Sequence, residues 1–189
     1  MKTFFKAFRI FCVLTILTGI LYPVGITLVA QIFFPKQANG SLVKKDGRLI
    51  GSELLAQKFQ DPKYFWSRPS AGDFATVPSG ASNLGPTSAA LKEAVLKRAA
   101  DFRKGNRLAS ETLLPADVVF ASASGLDPHI SPEAARLQIA RIVEARHWDE
   151  AHAQKLKEWV QKYTEPPQFG IFGKPRINVF RLNLALDSL

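Results

Sequence analysis

The chain has a single cysteine, Cys12, among 189 residues, and only three histidines, His129, His147 and His152. One thiol excludes an internal disulfide, and these four residues form no Cys/His framework for a metal. The lack of disulfides is compatible with an oxidising compartment and does not fix it. Charge is missing from one long stretch: no Asp, Glu, Lys or Arg lies between Ile10 and Pro35, a run of 26 residues. Lys/Arg blocks and aromatic–basic interleaving are missing as well, which argues against nucleic acid as a partner.

The uncharged run is what the chain has in place of those features. About 20 apolar residues cross a bilayer core as a helix, and at ~1.5 Å per residue this run reaches ~39 Å. A cleaved signal peptide would need an apolar core of roughly 7–15 residues followed by small residues. Here the core is longer, and Leu28-Val29-Ala30 offers a bulky Leu at the cut. The run therefore reads as a retained anchor. Gly19, Pro23 and Gly25 are tolerated in such spans. Thr15 and Gly19, four apart, form with Thr18 a small-residue patch that lets a second helix approach. Thr15, Gly19 and Gly25 are the candidate packing positions in the membrane. The expected organisation is a short tail over 1–9, a transmembrane helix over 10–35 and one soluble domain over 36–189.

The remainder is of ordinary composition. Apolar residues make up 47% of the chain and charged residues 22%, as in folded domains. Net charge is +9, of which +4 lies in the first 36 residues and +5 in the remaining 153. That modest surplus suits an anionic lipid surface or an acidic partner, and many soluble domains show as much. Lys2, Lys6 and Arg9 precede the span, and Lys36, Lys44, Lys45 and Arg48 follow it, so the positive-inside bias is nearly balanced. A long folded domain is exported largely regardless of its charge, which allows an inside N-terminus with the domain outside.

Asp46-Gly47 between alternating residues predicts a hairpin over Leu42 to Ile50, since both turn positions need positive φ. Ser52 is expected to cap a short helix through Phe59, closed by Asp61-Pro62. Tyr64 to Pro86, rich in Ser, Gly and Pro, is a long irregular stretch, functional or mobile. A helix is expected from about Thr87 to Lys104, ending at Gly105, with Leu91, Val95 and Phe102 inward. Val118 to Ala121 reads as a strand. Ser131-Pro132 opens a helix to about His147 with Ala135, Ile139, Ile142 and Val143 inward. Asp149 opens another, with Ala153, Leu156, Val160 and Tyr163 inward. After Pro166-Pro167, the alternation Phe180, Leu182, Leu184, Leu186 predicts a last strand. Helices and strands do not alternate regularly, so the class is α+β: one N-terminal transmembrane helix, then a single mixed α/β soluble domain.

Three constellations invite a chemical reading. Gly80 to Thr87 has the glycine spacing of a phosphate-binding loop, but Pro86 stands where a Lys is required and removes a backbone N–H. The helix that follows still offers its N-terminus to an anion. Gly80-x-Ser82 lacks the second glycine of a nucleophile elbow, having Leu84 there. A serine hydrolase would draw on Ser82 or Ser124 with one of His129, His147 and His152; His147 and His152 lie in or between charged helices, where a histidine is ordinarily solvated, and His129 after Asp127-Pro128 also serves to fix a turn. Asp127 to Pro132 is stiffened by two prolines; it orients the next helix or presents a fixed loop to a partner. Arg68 in Ser67-Arg68-Pro69-Ser70 can bind a carboxylate, inside the domain or across an interface. The candidate partner or anion contacts are Arg68, Ser79, Gly80, Ser82, Asn83, Gly85, Asp127 and His129. No catalytic or metal-ligating set is assigned.

Taken together, the N-terminal span, Ser67–Ala71, Ser79–Thr87, Ser124–Pro132 and the ending from Asn178 through Asp187 resemble the KdpC family. Its members are the small subunits of the bacterial high-affinity potassium-transporting ATPase complex. The segments occur in the family's order and cover nearly the whole chain. Departures occur at Ala81, Ser88 and Lys174, where family members often carry Gly, Asn and Glu. The resemblance implies a non-catalytic accessory subunit of an ATP-driven potassium uptake complex, needed for assembly and stability. Its partners would be a potassium-channel-like subunit and a P-type ATPase subunit, together with membrane lipid. It further implies a single-pass protein of the bacterial inner membrane, N-terminus cytoplasmic and domain periplasmic. Family members have been proposed to raise the ATP affinity of the hydrolysing subunit as catalytic chaperones, with ATP-binding as an associated property. The chain has no Asp-Lys-Thr-Gly phosphorylation motif, and one span is too few to line a potassium path. ATP would therefore be held by the partner subunit. The alternatives are a membrane-anchored anion or small-molecule binding module and, further off, a tethered serine hydrolase.

Overall fold

The computed structural model describes residues 1–188, which divide into two compact units, Met1–Ser52 and the part from Glu53 onward. The first unit begins with a continuous helical rod: α1 (Lys2–Ile16), a π-helical turn (Leu17–Leu21) and α2 (Tyr22–Phe33). The rod includes residues 2–9. At ~1.5 Å per residue, its 32 residues extend ~48 Å, long enough and apolar enough to cross a membrane. The π turn has a covalent cause. Pro23 has no N–H for the carbonyl four residues back, and its ring crowds that carbonyl, so the ladder loosens just ahead of it. Thr18 and Thr27 donate their hydroxyls to Leu14 O and Pro23 O, at 2.7 and 2.8 Å, so neither hydroxyl is left without a partner.

A short helix, α3 (Pro35–Ala38), follows, and then the expected hairpin of β1 (Leu42–Lys45) and β2 (Arg48–Ser52). Asp46 at φ 52° and Gly47 at φ 76° give the two positive values that a type I′ turn requires. The helix expected from Ser52 does not form. Strand β2 runs through Ser52, whose hydroxyl donates to Gly40 O at 2.7 Å. Further along, Ala56 N–H donates to Leu126 O and Ser67 Oγ donates to Gln57 O, so tertiary bonds replace a helical ladder.

In the second unit, α4 (Ala89–Asn106) is capped by Ser88, and its left-handed terminal residue is Arg107 at φ 54°, beyond the expected Gly105. A 3₁₀ turn (Ala116–Val118) leads to β3 (His129–Ile130). The strand expected over Val118 to Ala121 is absent: Phe120 N–H turns back to Ala116 O, and Val118 and Val119 are buried as turn residues. Helix α5 (Pro132–Ala145) opens on Ser131, whose Oγ accepts from Ala134 N–H, and ends two residues short of His147. Helix α6 (Glu150–Lys162) opens on Asp149. Strands β4 (Thr164–Glu165) and β5 (Arg176–Asn178) complete a three-stranded antiparallel sheet in the order β3-β5-β4.

The chain ends in a helix, α7 (Val179–Leu186), where a strand was expected. Asn178 caps it by accepting from Arg181 N–H at 3.0 Å. Its buried positions Val179, Phe180, Leu182, Asn183 and Leu186 fall on one side of the helix, a stripe that the alternating leucines conceal. Phe65, Ile130, Ile142, Leu156, Val160 and Ile177 form the core with this stripe. The unit is α+β, as its irregular order of elements predicts.

Candidate functional site

Arg68, Asp127 and His129, far apart in sequence, meet in the second unit. Arg68 Nη1 donates to Asp127 Oδ2 at 2.7 Å. Asp127 Oδ1 accepts from the His129 N–H at 3.0 Å and faces its Nδ1 at 3.3 Å. Burial pushes the Asp127 carboxyl up, but hydrogen bonds from the His129 ring and backbone and the charge of Arg68 outweigh it, holding the carboxyl below its ordinary value. The carboxylate that Arg68 binds, that of Asp127, is thus inside the domain. Pro128 and Pro132 fix this loop as expected, and β3 pairs His129 with Asn178.

These side chains border a cavity of about 550 Å³, also lined by Asp117, Glu133 and Arg176. Asp117 is committed to the start of α5, accepting from Ser131 N–H at 2.6 Å and from Ser131 Oγ at 3.1 Å. Arg176 Nη2 lies 3.1 Å from Glu165. Cations and anions in this wall therefore largely neutralise one another, and its geometry is that of a brace between three loops. Among the described residues, two buried nitrogens, Arg68 Nε and Arg176 Nε, have no hydrogen-bond partner.

The glycine-rich segment joins this region at one point. Gly125, at φ 71°, packs so closely that a Cβ there would lie 3.1 Å from Gly80 O and from Ser70 Oγ. Ser79, Ser82, Asn83 and Gly85 are exposed and outside the Arg68 cluster. Neither Ser82 nor Ser124 is hydrogen-bonded to His129 among the described residues; Ser124 Oγ instead accepts from Leu126 N–H. The segment does not fit a nucleotide phosphate cradle. Pro86 offers no N–H and takes the place of the Lys, and α4 starts at Ala89, with the Ser88 hydroxyl accepting from Leu91 N–H. In the rod, a Cβ at Gly19 or Gly25 would meet nothing within 4 Å, and Thr15 is exposed, so all three positions are open. Gly25, six residues past Gly19, lies on a different side of the helix from Thr15 and Gly19.

Sequence reasoning missed a buried polar clamp. Gln138, fully buried, accepts from Trp66 N–H at 2.7 Å and from Arg141 Nη2 at 2.8 Å. Arg141 Nε donates to Asn106 Oδ1 at 2.9 Å, and Nη1 donates to Pro62 O. Burial lowers the Arg141 pKa to about 10, which leaves it a cation at neutral pH. Asn183 brackets Phe65, accepting from its N–H at 2.8 Å and donating to its C=O at 2.9 Å. The one available signal was a polar residue inside each helical apolar stripe.

A helix long and apolar enough to cross a membrane thus precedes a small α+β unit whose loops are tied by side-chain braces. The family model "KdpC: K+-transporting ATPase, c chain" matches residues 4–188. The chain is 46% identical over 193 residues to the potassium-transporting ATPase KdpC subunit of Dechloromonas aromatica, covering 100% of this chain and 99% of the relative. It is 47% identical to that of Methylococcus capsulatus (98% and 97% covered) and 49% identical to that of Sorangium cellulosum (93% and 92% covered). The chain belongs to the KdpC family.

Proposed function

We propose that this chain is a non-catalytic subunit of a membrane complex that takes up potassium at the expense of ATP. The family match over residues 4–188 carries this reading. It rests also on an apolar helix that buries nothing within its own unit, as expected of an anchor whose partners are lipid and other helices. In this reading the membrane-spanning segment, residues 10–35, holds the domain from residue 36 onward beside a channel-like subunit and a P-type ATPase subunit. Thr15 and Gly19, on one face, and Gly25, on another, are the open small-residue positions against which neighbouring helices pack. The membrane is the bacterial inner membrane, with the N-terminus inside and the domain outside.

ATP hydrolysis then belongs to a partner. An outside domain does not meet cytoplasmic ATP, and Ser79–Gly85 lacks a phosphate cradle. Any effect of this chain on ATP affinity travels through the helix as coupling between sites. Arg68, Asp127 and His129 act by fixing the shape of the surface offered to the partners.

The test is deletion and co-purification. Cells lacking the chain should fail to grow at limiting potassium, and the full-length chain should bring down the other subunits from solubilised membranes. Normal growth of the deletion, or recovery of the chain alone, would reject this function.

A further inference from the structure

Beyond the sheet, the β4–β5 connection carries a second, smaller hairpin. Gln168 N–H donates to Phe172 O and Phe172 N–H to Gln168 O, both at 2.9 Å, and Gly170 N–H donates to Pro167 O at 2.9 Å. Its base is held by the pairing of Glu165 with Arg176 and by Pro166-Pro167. The tip is therefore closed by its own backbone bonds. On it, Phe169 is 82% exposed, Ile171 78% and Phe172 64%. Phe169 adopts φ 56°. A bulky residue at positive φ is an outlier, because Gly or Asn fits that backbone at less cost. Local folding thus disfavours the side chain found at the tip, and outliers of this kind cluster where a contact compensates them.

We infer that this hairpin is a preformed apolar plug that seats in an apolar pocket on the extramembrane face of another subunit of the complex. The inference rests on the functional reading above. Three considerations select that occupant. No charged residue lies between Pro166 and Gly173, whereas loops that dock on anionic bilayers draw on clustered Lys and Arg. The exposed apolar area of the three side chains is on the order of 400 Å², at ~150–250 Å² per aromatic residue. A stable interface takes about 800 Å² from each partner, so the plug suits one anchor within a larger contact and falls short of a tip-to-tip dimer. A rigid aromatic anchor, ordered before binding, is the type of residue that dominates binding energy at interface centres.

The experiment uses the full-length chain expressed with its partner subunits. Phe169→Asn and Ile171→Ser are combined, and p-benzoylphenylalanine is placed at position 171 in a separate preparation. The double variant should melt at or above the wild-type temperature, because Asn accepts the left-handed backbone, while its co-purification falls about tenfold. The photoreactive group should couple to a partner polypeptide. Undiminished co-purification of the double variant, or coupling only to lipid or to a second copy of this chain, overturns the plug and leaves the subunit reading intact. Failure of the wild-type chain to co-purify overturns the subunit reading, and the plug with it.

Discussion

The guanidinium carbon of Arg141 sits 3.9 Å from the centre of the Trp66 ring, so a buried cation on α5 covers the aromatic face of a loop 75 positions earlier. The same guanidinium bonds Asn106, Gln138 and Pro62. One side chain thereby fastens α4, α5 and the irregular segment around Trp66. Arg141→Ala orphans the acceptors on Asn106 and Pro62 and removes a desolvated cation–π contact. A loss of about 3 kcal/mol is expected, equivalent to a drop of about 10 °C in Tm for the full chain in detergent. Arg141→Lys keeps the charge but not the planar fork, and should recover only part of it.

Gly105 lies inside α4, where Ala would ordinarily stabilise a helix by about 1 kcal/mol. The neighbouring ring reverses that sign. A Cβ at Gly105 would lie 2.6 Å from Trp66 Cη2 and 2.8 Å from Cζ3. Arg141 stacks on the same indole, so the ring yields only at the cost of that contact. Gly105→Ala should therefore destabilise, by about 1–2 kcal/mol net of the helical gain. Displacement of the indole should shift the Trp66 fluorescence maximum. A stabilised variant would show that the ring is freer than this packing implies.

Asn183 gives a sharper test because a single atom changes. Asn183→Asp keeps the acceptor for Phe65 N–H but sets a carboxylate oxygen against Phe65 O in a site 2% exposed. The expected cost near neutral pH is about 3 kcal/mol. Burial beside a carbonyl raises the folded pKa of the introduced carboxylate. The folded state then binds more protons than the unfolded one, so the deficit should shrink as pH is lowered. Denaturant titrations of the full-length variant at several pH values would show this. A deficit that does not change with pH would count against it.

The parts of the fold legible in sequence were those with a long period or a demanding turn. The hairpin at Asp46-Gly47 and the cores of α4, α5 and α6 follow from turn chemistry and 3-4 spacing. Helix α7 did not, because Leu182, Leu184 and Leu186 satisfy a period of two while Val179, Leu182, Asn183 and Leu186 satisfy the helical one. Burial of Val179 and Asn183, both on what would be the strand's outer face, decides between them. Strands of two or three residues, such as β3 and β4, carry no pattern at all. The order of the segment around Trp66 is imposed by Gln138, Arg141 and Asn183, more than 70 positions away, and no local rule announces it. Arg68 was legible as a carboxylate binder and Asp127 as part of a stiff loop, but their pairing across 59 positions is a property of the fold.

That pairing contributes to how the domain responds to acid. Burial raises the Asp127 carboxyl, while the His129 hydrogen bonds and Arg68 lower it further, so its folded value lies beneath the ordinary 3.8. A carboxylate with a lowered folded pKa stabilises the native state above its unfolded value. That stabilisation is lost as pH falls through the folded one, because there the unfolded chain binds the extra proton first. The wild-type chain should therefore lose stability on acidification below about pH 4, an interval set by ordinary carboxylate values. Asp127→Asn should flatten that part of the profile and be less stable than wild type near neutral pH, where Arg68 loses its anion. Arg68→Ala removes only one of the groups that lower Asp127, so its profile should keep a shallower acid slope. Denaturation of the three full-length chains between pH 2.5 and 7 separates these slopes. An acid limb unchanged in Asp127→Asn would assign the response to other carboxylates.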